Sequence, residues 1–101
     1  MTMAHRVRRA STNVFRDLGF PTIEAENLRI RAELMTRVTE LIRRRGLTQG
    51  AAARLFGVSQ PRVSDLVRGR IERFSIDMLV TMLARAGLRV RIVLSPRSRV
   101  A

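Results

Sequence analysis

Apolar residues recur along 22–45 at steps of three and four: Leu28, Leu34, Met35, Val38, Leu41 and Ile42. That period lines one face of an α-helix, with Thr22 as the expected N-cap and Gly46 as the stop. Ahead of it, Val14, Phe15, Leu18 and Phe20 offer something to pack, and Gly19 and Pro21 break the chain. Two short helical stretches follow. Thr48 can cap one running to Phe56, with Ala52, Ala53, Leu55 and Phe56 as its apolar face. After a turn at Gly57 and Val58, Ser59 can cap the next, which Gly69 ends. Pro61 falls in its first turn, where a missing amide hydrogen does little harm, and Val63 and Leu66 face inward. A further helix is expected from Ser75 or Ile76 to Ala86, with Phe74, Ile76, Met78, Leu79, Met82 and Leu83 as buried candidates and Gly87 as its stop.

At 88–94 the period changes to two. Leu88, Val90, Ile92 and Leu94 alternate with Arg89 and Arg91, the pattern of a strand with one buried face. A lone strand is not stable, so this one needs a partner. The expected fold is therefore mainly α, a bundle of about five helices with one C-terminal β-strand. The length suits a single core, divided into a flexible basic arm at 1–12, a folded domain at 13–94 and a basic tail at 95–101.

Charge sharpens this picture. The formal net charge is +12, and since lysine is absent all 20 basic residues are arginines. Such a surface seeks polyanions, and the guanidinium fork matches phosphate oxygens and the guanine edge. Much of the patterning on the long helix describes only a solvated face. Glu24 and Glu26 favour its positive end and Arg43 to Arg45 its negative end, while Glu33 with Arg37 and Glu40 with Arg44 are four-residue pairs. No cysteine is present and His5 is the only histidine, so the sequence offers no metal cluster, cofactor site or nucleophile–base pair, and an enzyme is not expected. No apolar run approaches the roughly 20 residues needed to cross a bilayer, which excludes a membrane partner and places the protein in the cytoplasm.

The informative stretch is 48–69, two short helices meeting through a minimal turn. Ala53 is small where the helices cross, Gly57 permits the turn, and Val58, Val63 and Leu66 lock the second helix onto the first. If Val63 and Leu66 point inward, Pro61, Ser64, Asp65 and Arg68 turn outward, and Gln60 projects from the end that enters a major groove. Gln60 can read adenine through its paired donor and acceptor. Arg62 is placed for either guanine or a phosphate. Asp65 is suited to a cytosine amino group, or to orienting Arg62 or Arg68. Gln49, at the start of the first helix, suits a phosphate contact, and Ser59, at the start of the second, and Arg70, just beyond it, complete the expected DNA-binding residues. Double-stranded operator DNA is the expected partner.

Thr48-Gln49, Ala53, Gly57-Val58-Ser59, Val63-Ser64 and Gly69 resemble the lambda-repressor-like, Cro-type helix-turn-helix family, also called XRE. A narrower similarity, in Asn13 to Gly19, Glu24-Ala25, Ser59 to Leu66 and Phe74-Ser75, is to the HigA-type antitoxins. That resemblance implies a homodimeric repressor of its own toxin-antitoxin operon, which neutralises a RelE/HigB-like ribonuclease toxin.

One short helix makes few base contacts, so two copies spaced by one helical turn, ~34 Å, are expected on a two-fold operator. Leu88, Val90, Ile92 and Leu94 are the expected dimerisation residues, pairing with the same strand of a second subunit. The alternatives pair this strand with the arm around His5 to Arg9 or with the edge of a toxin. Arg6 to Arg9 and Arg97 to Arg99 suit a neighbouring minor groove or the phosphate backbone, or are simply tails.

Overall fold

A long central helix carries most of the packing surface. The computed structural model describes residues 14–96, which contain helices α1 (Val14–Asp17), α2 (Thr22–Arg44), α3 (Gln49–Phe56), α4 (Gln60–Val67) and α5 (Ile76–Arg85), with a 3-10 turn at Ile71–Arg73. The basic arm with His5, Arg6, Arg8 and Arg9, and the tail arginines Arg97 and Arg99, lie outside the described residues.

The N-cap of helix α2 falls one residue earlier than expected. Pro21 is the N-cap and Thr22 the first helical residue, with no side-chain capping bond. The reason is local: Pro21 is extended (φ −56°, ψ 151°), and its carbonyl already accepts the Ala25 amide at 2.7 Å. Residues Met35, Val38 and Ile42 of α2 join the main core, whereas Ala25 and Leu28 are buried nearer its N-terminus, where α1 packs. Phe15 and Phe20 meet edge to face at 6.2 Å, yet Val14 and Leu18 stay exposed.

Around α2 sit α5, the α3–α4 pair and the 3-10 turn. Val38, Phe56, Val63, Leu66, Leu79 and Met82 are essentially inaccessible, each side chain contributing about 1.5–3 kcal/mol by burial. Phe74 and Leu83 complete this core, while Ile76 and Met78 are only half-buried. Ser75 caps α5 by accepting the Met78 amide at 3.1 Å.

Of the expected surface pairs on α2, Glu33 faces Arg37 at 3.6 Å and also Arg29 at 3.6 Å. The pair between Glu40 and Arg44 does not form. Glu40 is turned inward, 9% exposed, because it lies on the α2 stripe that faces the end of α4, while Arg44 points to solvent.

The C-terminal segment also departs from expectation. Among the described residues there is no strand, and 88–96 has no regular structure. The Leu88 amide is tied to the Leu83 carbonyl at 2.9 Å and Val90 packs on the core. Ile92, Val93 and Leu94 then stand 80%, 84% and 92% exposed. A strand exists through the hydrogen bonds of a neighbour, and no second strand is available in the described chain.

Candidate nucleic-acid interface

Helices α3 and α4 are each begun by a hydroxyl. Thr48 Oγ1 accepts the Ala51 amide at 3.0 Å, and Ser59 Oγ accepts the Arg62 amide at 3.2 Å. Either cap is worth about 1 kcal/mol. Between them the chain turns through Gly57, whose φ of +72° lies in the left-handed region that favours glycine. The amides of Gly57 and Val58 both return to the Ala53 carbonyl, at 2.9 and 3.0 Å. Arg85, at the end of α5, donates to the Gly57 carbonyl at 2.9 Å and thereby closes the turn from outside.

The inner side of α4 is locked by Val63, fully buried, and Leu66, 2% exposed. The opposite side is open: Ser59, Gln60, Pro61 and Arg68 are exposed and Ser64 is half-buried. Pro61, Arg68 and Gln60 are thus exposed as the helical wheel predicts, whereas Ser64 and Asp65, expected to point outward as well, are half-buried. Gln49 is likewise exposed at the first position of α3.

Gly50 lies between the two N-termini. A β-carbon there would sit 3.8 Å from Gln60 Oε1 and 4.0 Å from the Arg54 guanidinium, so these two polar groups flank its bare α-carbon. Arg54 was not anticipated from sequence. Its signal was the i, i+4 spacing from Gly50 on the exposed stripe of α3.

Arg62 has contacts within the protein that the sequence did not suggest. Its guanidinium is turned back across the helix, donating to the Arg73 carbonyl at 2.9 Å and lying 5.6 Å from the centre of the Phe74 ring. It thus ties α4 to the loop that follows the 3-10 turn. Asp65 has partners other than those expected. Its two carboxylate oxygens each lie 3.7 Å from a guanidinium, Oδ1 from Arg70 and Oδ2 from Arg73, rather than near Arg62 or Arg68. Arg73 is the second residue that the sequence did not single out, since the contact runs across the turn after α4. Asp65 cancels part of the charge of Arg70 and Arg73 and holds them beside the end of α4, leaving Arg68 exposed without an ion pair among the described residues.

The described residues contain no group of three metal-ligating side chains and no helix long and apolar enough to cross a membrane. A family model described as a helix-turn-helix domain matches residues 14–95, a span that takes in all five helices. No curated protein matches the chain.

Proposed function

The chain belongs to the helix-turn-helix domain family, and from that premise we propose that it is a sequence-specific DNA-binding repressor that acts on the operator of its own transcription unit. The observation that carries this reading is the division of α4, with Val63 and Leu66 buried while Gln60, Pro61 and Ser64 face outward beside the helix N-terminus. A helix anchored in this way presents short polar side chains to base edges in a major groove.

The roles follow from placement. Gln60 reads a base, with adenine the best match to its carboxamide, and Ser64 and Pro61 complete the reading edge. Gln49, Ser59 and the first amides of α3 hold phosphates on one side, with Arg54 beside them. Arg68 holds a phosphate on the other, with Arg70, restrained by Asp65, beside it. Arg62 is a positioning residue in this scheme, because one of its guanidinium nitrogens is already bonded to the Arg73 carbonyl and the group lies over Phe74.

Specificity at useful strength calls for two copies on a two-fold site, and the exposed apolar residues Leu88, Ile92 and Leu94, with Val90 partly buried beside them, supply the contact between them. The resemblance of 13–19, 59–66 and 74–75 to the HigA-type antitoxins supports a further step: the repressed unit encodes a RelE/HigB-like toxin, which this protein neutralises.

The test is binding of the full chain to its own upstream DNA and to a scrambled duplex at several salt concentrations. A preference of about a thousandfold or more for the upstream site is expected, and Gln60→Ala should abolish most of it. Equal binding to both duplexes would reduce the protein to a basic, nonspecific nucleic-acid binder.

A further inference from the structure

Gln60, the first residue of α4, and Arg54, on α3, both reach Gly50, the second residue of α3. A β-carbon on Gly50 would lie 3.8 Å from the carboxamide oxygen of Gln60 and 4.0 Å from Arg54 Nη1. Apart from the chain neighbours of Gly50, no other side chain comes within 4 Å of that point. Arg54 returns to it because it lies four residues after Gly50, and side chains on a helix lean toward its N-terminus. Arg54 is exposed and has no hydrogen bond or ion pair with any described residue, so its charge is not engaged elsewhere.

The surroundings of the Gln60 oxygen are therefore positive. Thr48 Oγ1 takes the Ala51 amide and the Thr48 carbonyl takes the Ala52 amide. The amides of Gln49 and Gly50 are left without a partner among the described residues, at the positive end of α3. Arg54 adds a full charge. Oxygen is the negative pole of a carboxamide, so it is favoured at such a place and the amino half is disfavoured. The field thus holds the group one way round, with its oxygen toward α3 and its amino group away from it.

That orientation changes the chemistry of the reading edge. A carboxamide free to turn offers a donor and an acceptor together, the pair that matches adenine N6 and N7. One whose oxygen is held back offers donors alone. Guanine presents two acceptors, N7 and O6, at the same edge, whereas the adenine amino group would meet a donor with a donor. We propose that Arg54 is a positioning residue that determines specificity: it holds the Gln60 oxygen toward α3, so that Gln60 selects guanine over the adenine that an unrestrained carboxamide would suit. This rests on the reading of α4 as the DNA-recognition helix and sharpens which base that helix selects.

The test is selection of bound duplexes from a random double-stranded library by the full chain at one fixed salt concentration. The wild type is run beside Gln60→Ala, Arg54→Met and Arg54→Lys. Gln60→Ala identifies the position that Gln60 reads, as the one where base preference disappears. There the wild type should favour guanine over adenine by at least about tenfold. Arg54→Met keeps an unbranched side chain without the charge and should bring adenine level with guanine or ahead of it, while Arg54→Lys should keep guanine in front. Loss of one cation weakens binding to every duplex alike, so a switch of base is a result that neither a lost phosphate contact nor a damaged fold produces. Adenine preferred by the wild type would overturn the inference, and so would a guanine preference that survives Arg54→Met. Enrichment untouched by Gln60→Ala would overturn it as well, since Gln60 would then read no base. A library that yields no enrichment at all would remove the DNA-recognition reading itself, a failure distinct from the others.

Discussion

The guanidinium of Arg62 and the backbone carbonyl of Arg73 are joined at 2.9 Å, with the Phe74 ring beneath the same guanidinium at 5.6 Å. Eleven residues apart, these groups fasten the side of the reading helix to the segment that leads into α5. An arginine one turn into such a helix belongs by position to DNA, and by contact to the protein.

Arg62→Ala should accordingly cost about 1–2 kcal/mol of stability in urea denaturation, from a charge-assisted hydrogen bond and a cation–π contact that are both partly solvated. Binding to upstream and scrambled duplexes should fall together, their ratio unchanged. A collapse of that ratio would show instead that Arg62 reads a base.

Asp65 restrains Arg70 and Arg73 at 3.7 Å each. Asp65→Asn releases both and removes a negative charge that faces phosphate. Affinity for scrambled duplex should rise, and the slope of log K against log salt should steepen by about one unit, the mark of one more phosphate neutralised. An unchanged slope would mean that the two arginines never reach the backbone.

Gly57 and Arg85 form a second fastening, between the turn and the end of α5. A β-carbon on Gly57 would lie 2.6 Å from Arg85 Nη1 and 2.7 Å from its Cδ, and the φ of +72° disfavours any other residue. Gly57→Ala should cost about 1–2 kcal/mol, combining backbone strain with displacement of the guanidinium. Arg85→Ala should cost about 1 kcal/mol. Because both act through one contact, the double variant should lose less than the sum, which a thermodynamic cycle of urea melts will read directly.

Leu66 sits where the main core meets a groove along α2, 2% exposed. Leu66→Ala should cost about 2–5 kcal/mol through the cavity left behind. Operator affinity measured well below the melting temperature should weaken as well, since α4 then lacks its inner anchor. Full affinity in a destabilised protein would separate the packing of α4 from its reading role.

Much of this was open to local reasoning. The boundaries of α3 and α4, their hydroxyl caps at Thr48 and Ser59, the turn at Gly57 and the inward pair Val63 and Leu66 all follow from residues within a few positions of one another. Helix period, capping and glycine conformation act at that range. The exposed set on α4 follows too, since it is the complement of the buried one. The roles of Arg62, Asp65 and Arg73 did not follow. A long charged side chain chooses among partners by what the folded chain brings within reach, and here the partners came from beyond Gly69. Glu40 shows the same point in reverse: its i+4 arginine was present, and burial of its stripe overrode the pairing. The 88–94 pattern has the period of a strand, but period records which side chains share a face and not whether a neighbour exists to bond the backbone.

The amino-acid order by itself therefore determined the helices, their caps, the helix-turn-helix geometry and a surface of arginines suited to polyanions, because each rests on local backbone preference and on which residues avoid water. Only the tertiary structure decided which of those arginines are free to meet DNA and which are spent within the protein. It also decided that Glu40 is buried on its helix while, among the described residues, Ile92, Val93 and Leu94 stay exposed. Those outcomes depend on distances between segments far apart in the chain, which no local preference sets.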